Sequence, residues 1–292
     1  MKSAKGGKIS HVALILIMGL TSVITLYPFL YCLAYSLSDP LMAAIKNITV
    51  IPVGFTFENY KHVIGESMIY NAFMISVAKT VAGTVWALIV TGLASYAISK
   101  KSLPGKRFIS IFLIIPMYIS GGLMPTYVLF HDLHLFNNFL VFILPSAFWA
   151  FNMLLMRTYY DTIPPSLEES ARLDGASDIV IYVRVIIPLS MPIIAVISMY
   201  CGVAQWNSWY DAVLFITKKG LYPLQVILQQ LIQQSYVNLS DLKSGNVRNQ
   251  KTISPEAIRM ATLIVTTLPI VFIYPFFQKH FIKGIMIGAV KA

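Results

Sequence analysis

Charged residues are scarce in this 292-residue chain, where Asp, Glu, Lys and Arg make up 12% of the sequence and hydrophobic residues 57%. Soluble domains carry about 25% charged residues, so the composition excludes a soluble globular protein and indicates an integral membrane protein surrounded by lipid. Basic residues outnumber acidic ones by 22 to 12. They flank apolar runs instead of clustering on a soluble face, and we therefore expect no nucleic acid partner.

Cysteines and catalytic motifs are also sparse. Cys32 and Cys201 lie inside apolar segments, so neither a disulfide framework nor a cysteine metal site is expected. His131 and His134 are spaced as possible ligands, but a solvated pair of loop residues is the favoured interpretation, and we expect no metal site. No Ser/His/Asp, Cys/His or paired-carboxylate arrangement indicates a catalytic residue, and the nucleotide-binding pattern Gly-x-x-x-x-Gly-Lys-Ser/Thr is absent. We therefore expect no enzyme and no cofactor in this chain.

Six apolar segments are each long enough to cross a bilayer core of about 30 Å, which takes about 20 residues. They cover approximately residues 12–37, 70–98, 108–130, 139–158, 185–206 and 257–277. The predicted fold is all-α, a polytopic membrane bundle of six transmembrane helices. Lys and Arg are concentrated in the short loops on the side of both termini, which predicts that this side is cytosolic. Prolines interrupt the third to sixth segments and favour a transporter over a simple anchor.

The polar stretch 163–177 lies between two apolar segments and predicts two short helices joined by a turn. Pro164 or Pro165 suits the first helical turn. Ser166 and Glu169, three residues apart, fit a capping box. Gly175 supplies the left-handed residue that ends the first helix.

Other residues of the same stretch indicate what it presents to a partner. Glu168 and Glu169 lie at the positive end of the first helix dipole. Ser177 or Asp178 can cap the second helix. A side formed by small residues would let the surface of another protein approach closely; these residues are Ser170, Ala171 and Ala176.

Residues 169–176, Glu-Ser-Ala-Arg-Leu-Asp-Gly-Ala, with Pro188 following, resemble the EAA loop of binding-protein-dependent ABC importer permeases, although Ser170 replaces the first alanine. Similarity to carbohydrate permeases of the oligosaccharide and lipoprotein-linked polysaccharide type, MalG-like subunits, extends over nearly the whole chain. It includes residues 121–127 (Gly-Gly-Leu-Met-Pro-Thr-Tyr), 151–152, 205–209, 221–225 and 274–284. The resemblance implies the type I ABC importer permease fold. It also implies that the ATPase-coupling residues are Glu168, Glu169, Ala171, Asp174, Gly175 and Ala176.

The resemblance implies three kinds of partner. These are a second homologous permease subunit forming a heterodimer, two copies of a cytosolic ABC ATPase that bind ATP and Mg²⁺, and an extracellular lipoprotein that delivers the sugar. The chain is then divided into an N-terminal segment with the first span and an outer loop (1–70), a core (71–278) and a cytosolic tail (279–292). The core contains a coupling loop (159–184) and a long outer loop (207–255). We expect a multi-pass protein of the bacterial plasma membrane with both termini in the cytosol.

Aromatic and amide residues suggest where a sugar or its binding protein makes contact. Flat rings stack on sugars and amides bond to hydroxyls, but Trp and Tyr also populate the aromatic belts of membrane proteins, and both interpretations stay open. Residues 223–234 predict an amphipathic helix with a polar Gln face. The candidates for the substrate path or binding-protein contact are Lys79, Tyr127, Asn152, Trp206, Asn207, Trp209, Tyr222, Gln225 and Gln229.

Lys79 lies well inside the second span, where a charge is costly and indicates function unless the side chain snorkels to the outer surface. Together with Lys218, Lys219 and the bases between residues 243 and 251, it motivates the hypothesis that the sugar is acidic, such as a pectin-derived uronate oligomer.

Two alternative classes are weighed against an ABC importer. An ion-coupled secondary transporter would favour buried acidic residues within the spans, and the sequence has none there. A membrane-bound acyl or glycosyl transferase would need a cluster of ionisable groups at one interface, which is missing beyond the polar stretch.

Overall fold

The computed structural model describes residues 4–46, 48–243 and 255–289, and helices dominate these ranges. Long apolar runs form helices because a helix satisfies every backbone hydrogen bond within the segment. In chain order the α-helices are α1 (Ala4–Ser36), α2 (Pro40–Ile45), α3 (Glu58–Gly65), α4 (Ser67–Ser99), α5 (Lys106–Ile114), α6 (Leu123–Asp132), α7 (Ala150–Tyr160), α8 (Pro165–Leu173), α9 (Asp178–Ile181), α10 (Ile187–Leu189), α11 (Met191–Asn207), α12 (Tyr210–Phe215), α13 (Leu224–Lys243) and α14 (Pro255–Ala289).

Three helical stretches of the described residues are long and apolar enough to cross a membrane: His11–Ser36, Ser67–Ser99 and Glu256–Gln278. A fourth candidate is a bent pair, Asp178–Leu189 and Met191–Asn207, whose two parts meet at 85°. These elements match the first, second, fifth and sixth predicted spans. The all-α, multi-pass membrane fold is therefore confirmed.

The third and fourth predicted spans are not single continuous helices. In residues 108–130, α5 stops at Ile114, a 3₁₀ turn containing Pro116 follows, and α6 begins after Gly122, whose φ is 81°. In residues 139–158, a 3₁₀ turn at Phe139–Phe142 is separated from α7 by a non-helical stretch that contains Pro145. Proline lacks the N–H that continues a helix, so the prolines seen in the sequence break these segments.

The chain divides into two compact units, and the first comprises residues 1–70 and 227–268. Its apolar cluster is formed by Ala34, Tyr35, Ala43, Ile48, Ala257 and Met260. The turn after α1 is held by the buried Asn59, whose amide donates to the carbonyls of Ser36 and Ser38 at 2.9 and 3.0 Å. None of the apolar window of the first span is buried within the structure, so this surface is available to lipid or to another subunit.

The second unit comprises residues 71–226 and 269–292 and contains both regions that the sequence singles out. One cluster, which we call the coupling cluster, joins α4, α7 and the bent pair through Ala87, Tyr96, Met156, Tyr160, Ile181, Tyr182, Ile186, Ile197 and Cys201. A second, which we call the aromatic cluster, is built from Phe130, Leu135, Val141, Phe142, Ala212, Phe215, Ile216 and Val226. These two clusters position the candidate coupling and substrate residues respectively.

Candidate functional site: the coupling loop and the aromatic cluster

The first helix of the coupling loop begins two residues earlier than the capping-box pattern suggests. Its N-cap is Pro164, Pro165 is the first helical residue, and no side chain caps the helix. Ser166 is thus already inside the helix, and the predicted capping box with Glu169 is wrong. The two prolines explain the shift, because Pro165 has a preset helical φ and no N–H that needs a cap.

The turn between the two helices has the predicted glycine conformation. Gly175 has φ 81°. Its N–H donates to the carbonyl of Arg172 at 3.0 Å, and the N–H of Ala176 donates to the carbonyl of Ala171 at 3.0 Å. This pair of bonds defines a Schellman motif, in which the left-handed residue is normally glycine. The prediction for Gly175 is therefore confirmed.

The second helix leads into residues 185–188, as the sequence predicts. Ser177 occupies its N-cap position without a side-chain bond, and α9 runs through a π-helical stretch, Tyr182–Ile186, into α10. An ion pair between Arg172 and Asp178 at 2.5 Å links the two helices across the turn. The coupling loop therefore continues as helix directly into the bent span.

The small residues of the coupling loop differ in their surroundings. Ala171 and Ala176 are half-buried and pack against the coupling cluster, whereas Ser170 is exposed. Close approach of another protein to this side stays a prediction. The loop also exposes large apolar side chains that the sequence pattern did not single out, and two of them are the most exposed. Leu173 is 90% exposed and Ile179 72% exposed. An apolar residue within a polar, glycine-ended stretch is the sequence feature that could have identified Leu173.

The acidic residues of the loop differ in their surroundings. Glu169 and Asp174 are exposed. Glu168 forms an ion pair with Lys100, which follows the last residue of α4. The nearby Tyr160 is buried, and desolvation raises the pKa of its phenol, so it stays neutral. Glu169, Asp174, Leu173 and Ile179 are thus among the side chains that the loop presents outward.

Lys79 is buried and does not snorkel, so that alternative is wrong. Its side chain is 0% exposed, and its Nζ donates to the carbonyl of Ser208, the C-cap of α11. Asp211 interacts with it electrostatically, and the Oγ of Ser208 donates to that carboxylate at 3.1 Å. The Nζ also lies 5.4 Å from the centroid of the Phe142 ring. Lys79 therefore holds α4 against the end of α11.

The structure brings several of the predicted aromatic residues together. The Tyr127 ring lies 5.0 Å from Phe136 and 6.1 Å from Phe215, centroid to centroid. Trp209 and Tyr222 pack as half-buried side chains against the aromatic cluster. Tyr127 remains 44% exposed, so this group keeps a ring face that another molecule can contact.

Two other candidates are internal. Asn152 is buried and its amide donates to the Cys201 sulfur at 3.4 Å, joining α7 to α11. Trp206 is 6% exposed and packs edge-on to Phe73 at 6.0 Å between centroids. Both side chains are occupied by contacts within the second unit.

The amide candidates lie near the start of α13. Asn207 is exposed, and its Oδ1 accepts a bond from the Gln225 amide at 3.4 Å. Gln229 is half-buried. The helix predicted from residue 223 is confirmed and begins at Leu224, with Leu224, Ile227 and Leu228 buried as expected, whereas the predicted polar face is half-buried at Gln225 and Gln229. Lys218 and Lys219 are exposed, whereas Arg248 and Lys251 lie outside the described residues.

A small, mostly apolar cavity of about 200 Å³ lies beside this region. Gln205 is one of its lining residues and donates to the Phe142 carbonyl at 2.9 Å and to the Ser146 hydroxyl at 2.5 Å. A Cβ on Gly83 would overlap the Gln205 amide, so glycine at that position allows the close approach. Polar contacts of Gln205 thus join α11 to the broken fourth segment, and α4 packs closely against the same side chain at Gly83.

A multi-pass bundle with broken spans, and with a two-helix polar loop fused to one bent span, defines a membrane transport permease. A family model described as "Binding-protein-dependent transport system inner membrane component" matches residues 83–287. The chain belongs to this family. It is a membrane-embedded, multi-pass component of binding-protein-dependent transport systems.

Individual relatives extend the similarity over the whole chain. The polygalacturonan/rhamnogalacturonan transport system permease protein YtcP of Bacillus subtilis (strain 168) is 33% identical over 273 residues, covering 92% of this chain and 94% of that protein. Protein LplC of the same organism is 35% identical over 293 residues, covering 100% and 98%.

A solved structure supports the fold directly. The crystal structure of a bacterial ABC transporter involved in the import of the acidic polysaccharide alginate contains a chain with a TM-score of 0.85 and 27% identity. The match covers 96% of this chain and 99% of that one.

Proposed function

We propose that this chain is one of two permease subunits of an ATP-driven ABC importer for acidic oligosaccharides such as uronate oligomers. The observation that carries the proposal is the similarity over nearly the full length to a permease named for polygalacturonan and rhamnogalacturonan. The structural similarity to an importer of the acidic polysaccharide alginate supports the same substrate class.

The buried Lys79 no longer supports an acidic substrate, because its Nζ is bonded to the Ser208 carbonyl. The exposed Lys218 and Lys219 still do. Both lie at the start of the 3₁₀ turn Lys219–Leu221, which is followed by Tyr222, a side chain packed against the aromatic cluster. A sugar carboxylate could pair there while its ring contacts the exposed face of Tyr127.

The transport cycle that we propose uses separate polypeptides for each step. An extracellular lipoprotein delivers the sugar, and two ATPase subunits bind ATP and Mg²⁺ and move toward each other. The outward-facing side chains of the coupling loop, Glu169 and Leu173 among them, dock on one ATPase. The loop passes the movement to the spans, which alternate between inward-open and outward-open arrangements as rigid bodies. The excess of basic residues in the short loops supports a cytosolic location for this loop and both termini.

Uptake measurements with matched sugars test the substrate class. We expect proteoliposomes containing the complete importer and its binding protein to take up labelled galacturonate oligomers in preference to neutral galactose oligomers of equal length. Loss of one charge-assisted contact costs about 1.5–3 kcal/mol, so a preference of roughly tenfold or more is expected. The control omits the binding protein. Equal uptake of both oligomers, or preference for the neutral one, would contradict the acidic substrate.

A further inference from the structure

We propose that both helices of the coupling loop clamp the C-terminal end of α4, residues 92–100, and that Lys100 is a positioning residue that passes movement of the loop to this span. The inference rests on the proposed function, because it assigns the route by which ATPase movement reaches the membrane. It concerns contacts inside the chain and is separate from the docking surface itself.

The first contact of the clamp is the ion pair between Lys100 and Glu168. Glu168 lies in the first turn of α8, and Lys100 directly follows α4. The two side chains are 18% and 22% exposed, so solvent and salt screen the pair less than a surface ion pair. Charge-assisted hydrogen bonds are also stronger than neutral ones. The pair therefore fixes α8 to the end of α4.

The second contact comes from the other helix of the loop. The Tyr182 ring lies 4.9 Å from the Tyr96 ring of α4, centroid to centroid. The Tyr182 hydroxyl occupies the space that a Cβ on Gly92 would fill. Tyr182 begins the π-helical stretch Tyr182–Ile186, and such stretches are frequent at functional sites. Gly92 thus lets the helix after the turn approach α4 closely.

One aromatic ring joins the two contacts. The Nζ of Lys100 lies 3.8 Å from the centroid of the Tyr96 ring, within the range of a cation–π interaction. Tyr96 is 6% exposed. Lys100 therefore contacts two side chains. One is Glu168, which belongs to the helix before the Gly175 turn. The other is Tyr96, whose ring packs on Tyr182 from the helix after that turn.

Movement of the coupling loop is expected to move α4, because the loop is held rigid by its own contacts. The Schellman turn at Gly175 and the ion pair between Arg172 and Asp178 hold the two helices in one arrangement. Closely packed elements transmit displacement because they cannot deform continuously. If the loop moves, α4 must follow or the clamp must break. Further along the same helix, Lys79 bonds to the end of α11, so α4 is placed to pass the movement on.

The test measures sugar imported per ATP hydrolysed by the reconstituted complete importer. We expect Lys100→Met and Glu168→Gln each to lower this ratio by at least about fivefold, while the ATPase subunits still co-purify. Exchanging the charges with Lys100→Glu and Glu168→Lys together should recover much of the loss. Gly92→Ala should produce the same defect by displacing Tyr182, and adding Tyr182→Phe should relieve it by removing the hydroxyl.

The matched control is Lys101→Met, which removes the exposed neighbouring charge and should leave the ratio unchanged. The clamp is overturned if the single variants transport as many sugars per ATP as the wild type, or if both rescue combinations fail in complexes that assemble normally. Failure of the wild-type complex to couple ATP hydrolysis to uptake at all would instead refute the proposed function, and the clamp with it.

Discussion

Replacing Gly175 with valine is expected to abolish sugar uptake while the chain still inserts in the membrane. Gly175 has φ 81°, a conformation that costs L-residues about 1–2 kcal/mol and is especially unfavourable for β-branched side chains. A Cβ at this position would meet no neighbouring atom within 4 Å, so backbone strain and not collision causes the effect. Leaving this conformation breaks the bonds from Gly175 and Ala176 to α8 and reorients the two helices of the coupling loop.

Two control variants distinguish an effect of the turn conformation at Gly175 from a general folding defect. Gly175→Asn should retain much of the uptake, because asparagine tolerates the left-handed conformation. Gly105→Val places valine in a similar conformation, φ 69°, also in open space, at the turn before α5. It should reduce uptake far less. Labelled-sugar uptake, normalised to the amount of inserted protein, checks the three variants. Normal uptake by Gly175→Val would remove the coupling role from this turn.

Lys79→Met is expected to destabilise the permease strongly without changing which sugar it prefers. The substitution leaves the Ser208 carbonyl without its donor and removes the positive charge that interacts with Asp211. An unsatisfied buried group costs about 1–3 kcal/mol, and each kcal/mol lowers the melting temperature of a comparable chain by about 2–4 °C. The purified complex should therefore unfold several degrees below the wild type.

The control for this prediction is Lys218→Met, which removes an exposed lysine and should leave the melting temperature unchanged. The preference for galacturonate over galactose oligomers should survive Lys79→Met and weaken in Lys218→Met. A Lys79→Met permease that is as stable as the wild type but has lost its sugar preference would show that Lys79 acts on the substrate.

The sequence alone predicts local structure correctly where a single residue determines the backbone conformation. Gly175 ends a helix because only glycine occupies the left-handed region without cost, and Pro165 starts one because its φ is preset. The capping box at Ser166 fails because two prolines shift the start of the helix. Proline positions also indicate breaks in the third and fourth spans, but not that each break divides its segment into separate short helices.

Contacts between distant residues cannot be inferred from the sequence. Lys79 has the same hydropathy whether it snorkels or bonds to a carbonyl 129 positions away. Lys100 is one of several basic residues between positions 100 and 107 of the sequence, yet it is paired with Glu168. Ala171 and Ala176 are packing residues, as their size predicts, but the surface that they pack against belongs to the same chain. In each case the partner is set by tertiary structure.

Site-specific photo-crosslinking from position 173 tests the central claim most directly. Leu173 is 90% exposed beside the Gly175 turn, so a photoreactive residue placed there should not disturb the fold. In membrane vesicles of the complete importer, we predict that illumination joins this position to the ATPase subunit, and that the Gly175→Val variant gives little of this product. Labelling of position 173 by an impermeant reagent from the extracellular side, with no ATPase adduct, would contradict the account.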